Sequence, residues 1–344
     1  MTTLLEARYR AVLRLLPAYY REAREDEMVE TYLWDVDPDT QEQSRPTLAE
    51  VASIAALAVR TRLGAPGAPR VYARLGAAVR VFALYAVLLH AASAVVDWAL
   101  ALTWASNGAE GEGEAPILFG FTGHGPAQGA LAVAQWTLPL LWTVGYFALV
   151  HDRRRLARAA VLPAALPTLW PFLGPLVGGS VPADPGYAVT TALFAWLPAL
   201  ALCAAHHRDA PAVTVPGGSP GLVFLASCVV MGASIVLGPD AADAAWAPAT
   251  CFAVGALAWL VLRARRGRPG DPGEAFALAA LGLLLCALRG AAVYPWLDVA
   301  PAALIDGALA QAAVLALLVT ALAVVGVRES GRAVGEDAER ATKG

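Results

Sequence analysis

For its first 77 residues the chain alternates charged and apolar positions at short intervals, and from Ala78 onward long apolar runs take over. Eight of these runs match the roughly 20 residues of helix that a hydrocarbon core demands. They fall at about 78–104, 128–150, 159–178, 188–205, 220–237, 247–263, 275–297 and 302–327. The positive charges test that count, because cytoplasmic loops hold the excess of Arg and Lys. Arg153, Arg154, Arg155, Arg158, Arg208, Arg265, Arg266, Arg268, Arg328, Arg332, Arg340 and Lys343 all fall in alternate connections or in the tail. The intervening connections hold Glu110, Glu112, Glu114, Asp184, Asp240, Asp243 and Asp298, with no Arg or Lys. Dropping one span would scatter the Arg clusters over both faces. The pattern predicts an all-α, eight-helix, multi-pass protein of a bacterial plasma membrane, with both termini in the cytoplasm. Trp104, Tyr187, Trp246 and Trp296 near the outer ends, and Trp259 near an inner one, suit interfacial aromatic belts.

The first 64 residues carry a different period. Leu5, Tyr9, Val12, Leu13 and Leu16 share one helical face, and Pro17 ends that helix. Tyr20, Ala23, Met28 and Tyr32 mark a second helix, followed by an acidic, turn-rich connection over 35–44. Thr47 and Glu50 have capping-box spacing ahead of Leu48, Val51, Ala55 and Val59, with Gly64 as the stop. Residues 1–21 hold four Arg against one Glu, and residues 22–42 hold nine acids against Arg24, so the first two helices are expected to pack as neighbours of opposite sign. The expected organisation is a cytoplasmic helical module (1–64), a basic juxtamembrane linker (65–77), the membrane domain (78–327) and a disordered cytoplasmic tail (328–344).

Leu13-Arg14-Leu15-Leu16-Pro17, then Tyr20, Glu27-Met28 and the Arg45-Pro46-Thr47-Leu48 helix start, resemble the helical leader of many actinobacterial integral membrane proteins. The stretch is similar to the prefix domain of some bacterial permeases and, more loosely, to the HAAS signalling domain, although Arg45-Pro46 stands where the latter usually has Gly-x-Pro. The resemblance covers residues 5–64 and implies an adaptor that meets a cytoplasmic regulatory protein or an ATPase. Residues 78–327 resemble no family.

Composition agrees with this class: 58% hydrophobic and 15% charged residues, with mean hydropathy +0.56, exceed what a soluble domain of this length carries. No cleavable leader is expected, since the first long apolar run starts so late. Lys343 is the single lysine, which excludes a P-loop and suggests a GC-rich bacterial genome. There is no His-Glu-x-x-His and no Cys-x-x-Cys, so neither catalysis nor a cofactor or metal is expected. Cys203, Cys228, Cys251 and Cys286 sit on separate spans as buried apolar thiols, and His206-His207 end a helix at the inner interface. Nucleic acid is not an expected partner, because residues 1–64 hold eight Arg against eleven acids. The lipid bilayer is.

Charges inside spans are the informative exceptions, since each costs on the order of 2.5–3.5 kcal/mol at mid-bilayer. Asp97, Arg289 and Asp306 lie at matching depths, roughly 8–12 Å from the outer ends at 1.5 Å per residue. Gln135 falls in the same layer, and His90 and Ser93 continue the Asp97 face inward. Two roles compete: an Arg289–Asp306 ion pair that fixes consecutive helices, or an outward-open polar cavity for sensing or transport. In the third span Pro163, Pro167, Pro171 and Pro175 recur every four residues, freeing the carbonyls of Ala159, Pro163, Pro167 and Pro171. That helix is expected to be bent and enclosed by protein. Gly174 and Gly178 form a small-xxx-small pair. In the outer loop 105–127 the NGAEGEGEAP portion reads as a solvated acidic linker, and the FGFTGHG portion carries no assignment.

The leading functional expectation is a membrane-embedded regulator whose leader engages a cytoplasmic partner; the alternative is a transporter or ABC-type permease subunit using the outer polar layer. The topology itself is testable. Single cysteines placed at Gly111 and Gly335 in a Cys-free background are expected to react with an impermeant thiol reagent from opposite sides of the membrane. Labelling from one side would mean an even number of spans between them, and so an odd number in all.

Overall fold

The computed structural model describes residues 4–34, 45–65, 67–106, 133–177, 184–207, 210–211, 219–238, 243, 245–266 and 271–343. The acidic connection 35–44 and nearly all of the loop 105–127 lie outside the described residues. Every regular element among those described is helical, and eight helices are long and apolar enough to cross a membrane. The chain is therefore an all-α, multi-pass membrane protein. It divides into two compact units, one of residues 1–80 with 203–211, the other of 81–202 with 212–344.

The first unit holds α1 (Leu4–Leu13), α2 (Ala18–Trp34) and α3 (Leu48–Arg62). Its core is Tyr9, Leu13, Leu16, Val29, Ile54 and Ala58. The α1 face is the one read from the sequence, and Tyr20, Met28 and Tyr32 of α2 pack against the core, but α3 buries Ile54 and Ala58 and leaves Leu48 and Val59 exposed. Arg10 of α1 joins Glu25 at 3.3 Å and Asp26 at 3.0 Å on α2, as the opposite charges of the two helices require. The α3 capping box is complete: the Glu50 amide donates to Thr47 Oγ1 at 3.2 Å and the Thr47 amide to Glu50 Oε2 at 2.7 Å. Gly64 then turns the chain with φ +86°, a conformation that side chains resist. The turn delivers the chain to α4 so closely that a Cβ on Gly76 would lie 1.9 Å from the Leu63 carbonyl oxygen.

The membrane helices belong to the second unit except for α4 before Val81 and α7 after Leu202. They are α4 (Arg70–Ser106), α5 (Val133–Val150), α6 (Arg154–Leu173), α7 (Pro185–Ala205), α8 (Pro220–Leu237), α9 (Trp246–Arg266), α10 (Pro272–Val293) and α11 (Ala302–Lys343). Helix α4 lies between two cores. One of its faces packs with α5, α6 and α7 through Leu84, Val87, Trp142, Tyr146, Val161 and Leu202. The other packs with α8 to α11 through Leu89, Val96, Met231, Phe252, Leu285 and Leu315. Burial on two faces explains why α4 shows almost no amphipathic pattern.

Two expected boundaries differ. Residues 70–77 of the juxtamembrane linker are the first turns of α4, and the tail expected to be disordered continues α11 to Lys343. The Ala, Glu and Arg content of that tail has high helix propensity, which extends a helix already nucleated in the membrane.

The proline-rich span is broken as expected, though not enclosed. After Ala165 it passes through short segments, Leu166–Leu169, Trp170–Leu173 and Gly174–Val177, each opening beside one proline. Two of the four carbonyls that proline frees are recaptured within the chain: Leu166 N–H donates to Pro163 and Trp170 N–H to Pro167. With these turns tightened, Leu166, Trp170, Phe172 and Leu173 stay exposed on the bundle surface.

Close helix approach occurs at other glycines than the Gly174 and Gly178 pair. A Cβ on Gly174 would meet its own Trp170 at 3.6 Å, and Gly178 lies outside the described residues. A Cβ on Gly282 of α10 would instead fall 2.6 Å from Val319 Cγ2 of α11 and 2.8 Å from Phe252 Cζ of α9. We expect Gly282→Ala to lower the thermal midpoint of detergent-purified protein by an overpacking cost of about 1–3 kcal/mol. Gly232→Ala, which meets nothing within 4 Å, is expected to leave the midpoint unchanged or raise it.

Candidate functional site

Helices α9, α10 and α11 run antiparallel in sequence, and polar side chains gather at both ends of the trio. At the end carrying the Arg-free connections, Arg289 of α10 is 1% exposed and pairs through Nη1 with Asp243 Oδ1. Asp243 is positioned by the start of α9, where Oδ1 also receives the Ala245 amide at 2.9 Å. The Arg289 guanidinium lies over the Trp246 ring at 5.4 Å, while the indole N–H is held by the Ser234 carbonyl at 3.1 Å. Gln311 of α11 closes the cluster by donating to the Trp246 carbonyl at 3.1 Å and to Thr250 Oγ1 at 2.8 Å. Tyr187 of α7 stands within electrostatic reach of both Asp243 and Asp97.

The opposite end has its own buried pair. Arg263 Nε donates to Glu329 Oε1 at 2.9 Å and the guanidinium lies 4.9 Å from the Trp259 ring. Nearby, Tyr85 of α4 donates to Glu274 of α10 at 3.5 Å. Between these ends the bundle is filled by the aliphatic and aromatic cores already described.

The expected polar layer does not assemble as drawn from depth. Arg289 is the one member at its centre, and its partner is Asp243, not Asp306. Asp306 lies exposed on α11, because five residues separate it from Gln311 and a helix turns about 500° over that interval, carrying the two onto different faces. Asp97 and Gln135 are exposed on α4 and α5. His90 turns inward, stacked on Trp142 at 4.4 Å, beside Phe194 at 4.3 Å, with a 3.0 Å hydrogen bond between Nε2 and the Phe194 carbonyl. This is a satisfied packing histidine. Ser93 likewise ends on Met231 Sδ at 3.5 Å. Pro163, Pro167, Pro171 and Pro175 remain half-buried on α6 and its extension and line no described cavity.

Asp243 was hidden in the sequence because it reads as a loop acid. The signal that could have found it is its place three residues before Trp246, at a helix start level with Arg289. A Gly-x-Ser-x-Gly spacing also occurs, at Gly217 to Gly221. Its Ser219 is the exposed residue before α8, and among the described residues there is no strand to build the strand-to-helix elbow in which such a serine acts. Nor do the described residues contain a His, Cys, Asp and Glu grouping able to hold a metal.

In comparisons with known proteins, no family model matches the chain, and no curated protein or solved structure matches it either.

Breaking a buried pair from one side strands a charge, at a cost of about 3–5 kcal/mol in soluble interiors. Asp243→Ala is therefore expected to reduce the yield of monodisperse protein on size-exclusion chromatography sharply. The Asp243→Leu, Arg289→Leu double variant is expected to recover most of that yield. Asp306→Ala is expected to behave as wild type, since its side chain is exposed and Arg289 has another partner.

Proposed function

We propose that the protein is a membrane-embedded regulator whose N-terminal helical module engages a cytoplasmic partner, with the Arg-free connections facing outward. The observation that carries this reading is the module itself. It has its own core and a capped third helix, yet it leaves an open groove of about 370 Å³ lined by Tyr9, Tyr20, Arg24, Glu27, Met28, Thr31 and Tyr32. Aromatic faces beside both signs of charge suit a protein partner better than a lipid surface or nucleic acid. Tyr9 and Tyr32 stack with ring centroids 3.9 Å apart. Burial, and secondarily the Glu50 carboxylate, raises both phenols above the ordinary tyrosine range, so they stay neutral hydrogen-bonding groups at physiological pH. A module near 60 residues is marginally stable alone, so added contacts also serve its folding.

The competing reading, a transporter or permease subunit, requires a polar route through the membrane. The described residues favour regulation, since polar groups cluster at the two ends of α9 to α11 and His90 and Ser93 are satisfied by packing neighbours. Deleting residues 1–64 is expected to leave a membrane domain that inserts and purifies, while abolishing a partner captured by in-cell crosslinking and pull-down with the full chain. Loss of insertion, or an unchanged set of crosslinked partners, would reduce the module to a structural cap.

A further inference from the structure

The Arg289–Asp243 pair is incomplete in a directed way. A guanidinium offers five N–H donors, and Arg289 commits Nη1 alone; among the described residues Nε and Nη2 find no acceptor. Those two nitrogens form the side-on edge of the fork, the edge that takes two oxygens of a carboxylate in parallel. At 1% exposure such donors are almost always satisfied in folded proteins. Asp243 is incomplete as well: its Oδ2 has no partner among the described residues, and neither does Gln311 Oε1. Donors for an anion and acceptors for a cation therefore stand side by side, and Asp243, with its side chain 21% exposed, connects the cluster to the surface.

Charge selects among ligands. Arg289 and Asp243 neutralise one another. A simple anion on the free Arg289 edge would lie beside the Asp243 carboxylate, and a simple cation would leave that edge unfilled. We propose that this cluster binds a small zwitterionic amino-carboxylate from the outer side, its carboxylate on Nε and Nη2 of Arg289 and its ammonium on Asp243 Oδ2, with Gln311 Oε1 as a further acceptor. Trp246 holds the guanidinium in place from its ring face, so the edge is pre-oriented for the carboxylate. This site stands independently of the regulatory reading, because binding is measured on the purified membrane protein whatever the leader does.

The test is a thermal-shift and calorimetric titration of the full chain in nanodiscs, using glycine, L-alanine, L-glutamate and γ-aminobutyrate as zwitterionic probes and acetate and methylammonium as half-ligands. At least one zwitterion is expected to raise the midpoint saturably, with acetate and methylammonium giving at least about tenfold weaker effects, the factor that corresponds to 1.4 kcal/mol. Arg289→Lys, which retains the charge and removes the side-on edge, is expected to abolish the shift. Asp243→Asn, which keeps the shape, is expected to weaken it. Absence of any shift in the wild-type chain, a shift from acetate equal to that of the zwitterions, or an undiminished shift in Arg289→Lys would each overturn the proposal. An unfolded Arg289→Lys protein leaves the wild-type comparison of zwitterions with half-ligands to decide.

Discussion

A hydrocarbon layer offers no hydrogen bonds, and the bundle is organised around that denial. Several hydroxyls within spans turn back on their own helices: Ser227 bonds the Val223 carbonyl, Ser234 that of Met231 and Thr320 that of Ala316. The proline-rich span meets the same demand by closing tighter turns. His90 finds the Phe194 carbonyl across a helix interface. Where side chains from several helices converge at the two ends of α9, the structure places Arg with a carboxylate and an indole. The recurrence of one solution, an arginine flanked by an acid and a tryptophan, indicates that aromatic faces share the work of screening buried guanidinium groups.

Much of this architecture was readable from the chain because the bilayer imposes it on composition. The eight spans follow from run length and alternating Arg clusters, and the α3 box follows from the Thr47 to Glu50 spacing. What depth counting cannot supply is azimuth. Arg289 and Asp306 share a level in the membrane yet point in different directions, and the rotation of each helix is set by neighbours such as Phe252 and Val319 against Gly282, which sequence spacing does not encode. Asp243 escaped for a related reason: a residue just outside a hydrophobic run is counted as solvated, although a helix start can fold it back over the bundle.

The α6 expectation erred in another instructive way. Free carbonyls were expected to force enclosure by protein. The chain instead satisfies those of Pro163 and Pro167 locally, so bending and burial turn out to be separable consequences of proline. Pro163 sits inside an α-helix, whereas Pro167, Pro171 and Pro175 each open a new short segment, and Trp170 and Phe172 are exposed.

Helix α11 is a 42-residue rod. At 1.5 Å per residue it measures ~63 Å, about twice the thickness of a hydrocarbon core. Gln311 grips it near one end and Glu329 some 18 positions further along, and the helix continues beyond the second grip to Lys343. A rod of this length is a lever: pivoting it by ~5° about its first turn would sweep the far tip through roughly 5 Å. Displacements at the Arg289 cluster too small to alter a side-chain contact by more than a fraction of an ångström would thus emerge magnified at the other end of the bundle.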